Sequence, residues 1–270
     1  MTFIKKLENA WKKNNSLVCV GLDPDLEKLP ECLKGEKYPI FEFNRQIIDA
    51  TCDLVCCYKP QFAYYAGQGA EDQLKMTIDY INKKHSEIPV ILDSKRGDIG
   101  STASMYAKEA FDMYKADAVT VNPYMGYDTL KPFIDRQDKG TVILCRTSNP
   151  SSRDIQELIA DGREVYKRVA EYAANDWNYN RNILLVIGAT FPEELGAVRK
   201  ICPNIPFLVP GVGAQGGNVK KVMENGKNAK GTGLVINSSR GIIYSSSGAD
   251  FADSAQSAAA KLKDTINQYR

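Results

Sequence analysis

The stretch Asp93-Ser94-Lys95-Arg96-Gly97-Asp98 follows directly on the apolar run Pro89-Val90-Ile91-Leu92. Side chains alternate along a strand, so Asp93 and Lys95 are expected on the same side of it. Asp98 then opens the next helix, with Thr102 one turn further along. Two carboxylates bracketing an ammonium at the end of a buried strand are costly to desolvate, and such clusters concentrate where chemistry is done. The chemistry they suit is electrostatic: a preplaced cation set against charge that develops in a transition state.

Other residues extend the cluster. Lys59 follows Val55-Cys56-Cys57-Tyr58 and precedes Pro60, which places an ammonium at a second strand end, within reach of Asp93 across a shared mouth. An alternating Lys59, Asp93, Lys95, Asp98 network would keep both lysines charged and rigid. Glycines at 211, 213, 216 and 217 expose backbone N–H groups just ahead of a helix, and Arg240 follows the neighbouring strand. Together they suit a phosphate, held by amides and a bidentate guanidinium. Gly211-x-Gly213-x-x-Gly216 also spells a dinucleotide fingerprint. That fold wants an acidic residue closing the next strand and further sheet beyond it, where this chain has Asn237-Ser238-Ser239-Arg240 and one last helix.

The elements that must position these groups recur regularly. Apolar runs at Leu17–Gly21, Leu54–Tyr58, Pro89–Leu92, Ala118–Val121, Thr141–Cys145, Ile183–Ile187, Pro206–Val209 and Gly233–Ile236 read as strands buried on both faces. Helical patterns lie between and after them, at Phe41–Cys52, Ala70–Lys84, Ile99–Tyr114, Tyr127–Asp135, Ile155–Asp176, Pro192–Lys200, Asn218–Gly226 and Asp250–Tyr269. Eight strands each followed by a helix predict a (β/α)8 TIM barrel, a single domain over 1–270; an open doubly wound sheet is the alternative. Phe3, Ile4, Leu7 and Trp11 share one helical face, predicting a short N-terminal helix that caps one end. In such barrels the working face is made by the C-terminal strand ends. Read in order, those ends carry Asp23-Pro24, Lys59-Pro60-Gln61, Asp93 with Lys95 and Asp98, Asn122-Pro123, Thr147-Ser148-Asn149-Pro150, Pro210-Gly211-Val212-Gly213 with Gln215, and Asn237-Ser238-Ser239-Arg240-Gly241.

Composition narrows the function. A formal charge of +2 gives no reason to expect nucleic acid or an anionic membrane as partner. Seven cysteines, an odd number without a C-x-x-C pair, predict buried thiols in a reducing compartment rather than disulfides or zinc. The single histidine, His85, lies in the polar stretch Asn82-Lys83-Lys84-His85-Ser86 and reads as a surface residue. Charges from Lys5 onward argue against a secretory signal, and no run is long enough to span a membrane. A cytoplasmic protein is expected.

With these motifs in hand, nearly the whole chain resembles the orotidine 5′-phosphate decarboxylase family. The resemblance rests on Gly21-Leu22-Asp23-Pro24, Tyr58-Lys59-Pro60-Gln61, Asp93-Ser94-Lys95-Arg96-Gly97-Asp98-Ile99-Gly100-Ser101-Thr102, Val121-Asn122-Pro123-Tyr124, Pro210-Gly211-Val212-Gly213-Ala214-Gln215 and Ser238-Ser239-Arg240. The Lys-Arg-Gly-Asp-Ile-Gly form of the central motif is similar to one subgroup. The resemblance implies decarboxylation of orotidine 5′-monophosphate to UMP with no cofactor and no metal. It implies that Lys95 protonates C6 of the pyrimidine, that Asp93 lies beside the departing carboxylate, and that Lys59 binds the ribose and anchors Asp93. Asp98 and Thr102 would reach into a neighbouring subunit's site, making a homodimer with composite active sites. Asp23 would hold the ribose, Ser148 the pyrimidine edge, and Gln215 and Arg240 the phosphate. Ile99, Asn122, Pro210 and Gly213 complete the implied substrate-binding set. The loop after Gly213 is short and lacks the tyrosine that some relatives close over the phosphate.

The residues alone leave rivals open. These are a metal-dependent sugar-phosphate decarboxylase or aldolase on the same barrel, a Schiff-base aldolase using Lys59, and a non-catalytic binder of phosphorylated ligands.

Overall fold

The computed structural model describes residues 1–212 and 217–270. Eight parallel strands form one sheet: β1 Val18–Leu22, β2 Cys57–Pro60, β3 Ile91–Arg96, β4 Ala118–Val121, β5 Gly140–Arg146, β6 Ile183–Ile187, β7 Phe207–Pro210 and β8 Leu234–Ser238. Their order, β2-β1-β8-β7-β6-β5-β4-β3, is chain order read around a circle. Bridges Tyr58–Val90 and Gln61–Asp93 join β2 to β3 and close the ring. The predicted (β/α)8 barrel is the observed one.

Strand interiors are mostly Val, Ile, Leu and Cys, buried on both faces because side chains fill the barrel and helices cover its outside. The N-terminal helix Phe3–Lys13 begins at Thr2, whose hydroxyl accepts the Lys5 N–H, and buries Phe3, Leu7, Ala10 and Trp11. It seals the end remote from the strand C-termini. A Cβ on Gly140 would come within 2.3 Å of the Phe3 ring, so only glycine lets β5 start against this helix. The Lys6 ammonium fastens the seal 2.8 Å from Asp117, whose same oxygen accepts the Val90 N–H.

Three elements depart from the sequence reading. β2 runs from Cys57 rather than Leu54, because residues 52–56 are spent turning the chain after helix Pro39–Thr51; Lys59 is therefore inside the strand, not after it. β3 continues to Arg96, but its register against β4 shifts between Leu92 and Arg96, and Lys95 has φ 47°. Ile155–Asp176 is not one helix. A helical turn Arg153–Gln156 leads to a two-residue hairpin, Ile159–Ala160 against Arg163–Glu164, and the helix starts at Val165. Asp161-Gly162 makes the hairpin turn with φ of 50° and 75°, the pair of left-handed residues that a two-residue turn demands.

Seven cysteines are free and five of them are buried. Among the described residues no helix is long and apolar enough to cross a membrane. His85 packs beside Asp49 and Tyr80, partly buried and away from the strand ends that matter below.

Candidate active site

A cavity of about 640 Å³ opens at the C-terminal strand ends. Its floor is a carboxylate. Asp93, 6% exposed, accepts from four donors, two on each oxygen. Lys59 Nζ and Gln61 Nε2 reach Oδ2 at 2.9 and 3.1 Å. Lys95 Nζ and Thr120 Oγ1 reach Oδ1 at 2.7 and 2.8 Å. Lys59 also lies 4.0 Å from Asp23 Oδ1, a buried oxygen with no hydrogen-bond partner among the described residues. Charges therefore alternate as Asp23, Lys59, Asp93, Lys95.

Burial opposes ionisation of Asp93, but Lys59 and Lys95 outweigh it and hold the carboxyl well below the usual carboxylate range. Burial likewise opposes the Lys59 charge, and the carboxylates of Asp93 and Asp23 overcome it, raising its pKa above an ordinary lysine. Both groups are thus charged at neutral pH. Because the folded pKa of Asp93 is depressed, its stabilisation is complete above the unfolded value of about 3.9 and drains away as pH falls below it. Asp93→Asn should destabilise the fold at neutral pH by about 3 kcal/mol, since buried Lys59 is left with only Asp23, 4.0 Å away, as counter-charge. From about pH 4 to about pH 2 the variant should lose less further stability than wild type, because it lacks this titration. Thermal melts across that range check both statements; parallel curves would contradict the second.

The opposite wall is the segment after β5. Thr147, Ser148 and Asn149 all line the cavity. A Cβ on Gly188 would stand 2.8 Å from that of Ser148, so the end of β6 must be glycine for the segment to sit there. Arg146, wholly buried, anchors it from behind by binding Ser152 and Glu157, with Phe191 under its guanidinium at 3.9 Å. Gln156 folds back over the segment: its Oε1 accepts the Thr147 N–H, and its Nε2 donates to the Thr147 hydroxyl, both at 2.9 Å.

The third wall is shaped for an anion. Pro210 ends β7 and Gly211 and Val212 follow it, with Gly211 at φ 96° and its carbonyl accepting the Gly217 N–H at 3.2 Å. Ser238 at the end of β8 is followed by Ser239 and the exposed Arg240. Ser239 Oγ is buried and unpartnered among the described residues. Gly213 and Gln215, expected here, lie outside the described residues.

Four expected site residues do not line this cavity: Asp98, Ile99, Thr102 and Asn122. Asp98 Oδ1 accepts the Ile99 N–H at 2.8 Å, and no ion pair joins it to either lysine among the described residues. The network anticipated as Lys59, Asp93, Lys95, Asp98 therefore stops at Lys95 within one chain. Asn122 Oδ1 accepts the Tyr124 N–H at 3.0 Å, turning its own loop. No three His, Cys, Asp or Glu side chains converge as a metal site among the described residues.

A barrel with a carboxylate-bound lysine pair on its floor and an anion-suited rim matches a known group. Residues 16–254 match the family model for the orotidine 5′-phosphate decarboxylase / HUMPS family. The chain belongs to that family. A relative from Dechloromonas aromatica, named orotidine 5′-phosphate decarboxylase, is 56% identical over 270 residues, covering all of both chains. One of the same name from Ralstonia pickettii is 55% identical, again over all of both. The solved structure of Leishmania donovani OMP decarboxylase has a TM-score of 0.85 and 37% identity, covering 100% of this chain and 98% of that one. Within this decarboxylase-family barrel, sequence reasoning missed several residues that line the cavity, Tyr64, Thr120 and Gln156 among them. Thr120 is the lone polar residue in Ala118-Val119-Thr120-Val121, a signal that was available. Gln156 sits in the stretch read as helix and offered none.

Proposed function

We propose that this chain converts orotidine 5′-monophosphate to UMP in pyrimidine biosynthesis, with Lys95 as the decisive group. The carrying observation is the Lys95 ammonium, 2.7 Å from Asp93 on the floor of a cavity whose rim suits a phosphate. The C6–carboxylate bond breaks, CO2 departs, and the electron pair stays on C6 in the ring plane, where the π system does not delocalise it. A fixed cation beside C6 is then the available stabiliser. A proton passes from Lys95 Nζ to C6, giving UMP and a neutral amine that regains its proton from solvent. Asp93 neighbours the leaving carboxylate, Lys59 and Asp23 hold the ribose, Ser148 and Pro210 contact the pyrimidine, and Arg240 with Gly213 and Gln215 holds the phosphate. No cofactor enters this scheme.

The functional unit in this reading is a homodimer in the cytoplasm, each chain folded as one domain over 1–270. Asp98 and Thr102 serve the neighbouring subunit's cavity. Their position outside their own cavity supports this, as does the exposed apolar surface around them: Ile99 and Met105 are each 61% exposed and Tyr124 is 79% exposed.

Adding orotidine 5′-monophosphate to the purified protein in excess chelator, and following pyrimidine absorbance, tests the activity. Turnover is expected; its absence from folded protein would overturn the reading. Arg240→Ala should lower kcat/KM for the nucleotide by about 10–100-fold, the worth of a charge-assisted hydrogen-bond pair, and leave the unphosphorylated nucleoside nearly unaffected. Equal losses on both substrates would remove Arg240 from the phosphate site.

A further inference from the structure

Thr120 is 1% exposed, and its hydroxyl sits at the junction of the two strands that build the cavity floor. Oγ1 accepts the backbone N–H of Lys95 at 2.9 Å and donates to Asp93 Oδ1 at 2.8 Å. The same Oδ1 accepts from Lys95 Nζ at 2.7 Å. These contacts close a ring that starts at the Lys95 amide, passes through Thr120 and Asp93, and returns to the Lys95 ammonium. A hydroxyl has one proton to give, and with the ionised Asp93 taking it, the oxygen lone pairs are left for the Lys95 N–H.

The ring lies where the backbone is least regular. β3 loses register against β4 between Leu92 and Arg96, and Lys95 takes φ 47°, a left-handed conformation that disfavours any residue with a Cβ. Such a conformation persists only where its surroundings over-determine it. Regular alternation would also bring Asp93 and Lys95 to one face, but a bulge re-aims a side chain, and here the Thr120 hydroxyl holds the bulged amide.

We infer that Thr120 is a positioning residue for Lys95: it fixes the left-handed bulge that aims the ammonium, and it gives Asp93 Oδ1 a second donor that stays in place when the ammonium turns to C6. The inference rests on the proposed decarboxylation. It gives Thr120 no contact with the reacting atoms.

Thr120→Val keeps the shape and removes the hydroxyl, whereas Thr120→Ser keeps the hydroxyl and trims a methyl. With orotidine 5′-monophosphate as substrate and UMP as the binding probe, the valine variant should lose about 10–100-fold in kcat. Its UMP dissociation constant should stay within about threefold, and the serine variant should keep kcat within about threefold of wild type. Should the valine variant fail to fold, Thr120→Ala takes its place in the same comparison. Wild-type kcat without the hydroxyl overturns the inference, and so does a loss of UMP affinity that matches the loss of kcat. Failure of serine to restore kcat overturns it too. An inactive wild-type protein would instead overturn the functional reading, so the two failures are distinguishable.

Discussion

Lys95→Ala is expected to lower the turnover of orotidine 5′-monophosphate by about 10⁵-fold or more while leaving the fold intact. Two losses combine. A unit charge about 4 Å from the C6 anion is worth about 4 kcal/mol at an effective dielectric near 20, or roughly a thousandfold in rate. Removing the proton donor adds about 10²–10⁴-fold. Neither loss threatens the scaffold, because the Lys95 side chain is 46% exposed. Asp93 would keep Lys59, Gln61 and Thr120 as donors. The melting temperature should therefore move little, and UMP binding should persist, since the proposed ribose and phosphate contacts lie elsewhere. Wild-type-like kcat in single-turnover measurements would remove Lys95 from the mechanism. One cation does not account for the 8–23 kcal/mol or so by which enzymes commonly lower barriers. The balance is assigned to an array that needs no reorganisation and to remote binding energy gathered at the phosphate rim.

The barrel was legible because each strand is a short apolar run and each helix has its own period, so the count of eight survives errors of a few residues at the ends. Those errors matter locally. Reading β2 as ending at Tyr58 places Lys59 on a loop, whereas its place inside the strand explains why it is buried and held between Asp23 and Asp93. The Asp93–Lys95 pair was legible from spacing, yet the geometry that aims it was not. Nothing in Ser94-Lys95-Arg96 announces a left-handed residue, since no glycine stands there and the hydroxyl that holds it comes from another strand. The hairpin at 159–164 is a different failure. Asp161-Gly162 is a turn signal, but helical spacing on both sides carried the helix across it. In the proposed dimer Asp98 serves a second copy of the chain, and no pattern in one sequence places that copy in space.

Mixing Lys95→Ala subunits with Asp98→Ala subunits should therefore create activity that neither protein has alone. In a two-fold dimer with shared sites, each site takes Lys95 from one chain and Asp98 from the other. Each variant homodimer lacks one of these groups in both sites. After random exchange about half the dimers are mixed, and within each mixed dimer one site carries both substitutions and the other carries neither. About a quarter of all sites are then intact, so kcat per site should recover to about a quarter of wild type. Were Asp98 to serve the cavity of its own chain, every site in the mixed dimer would lack one group and nothing would be regained. The structure motivates the shared arrangement because Asp98 lies outside the cavity formed by its own chain and pairs with neither Lys59 nor Lys95 among the described residues. Exchange is verified by differential tagging before the assay, so an inactive mixture that contains heterodimers would overturn the shared site.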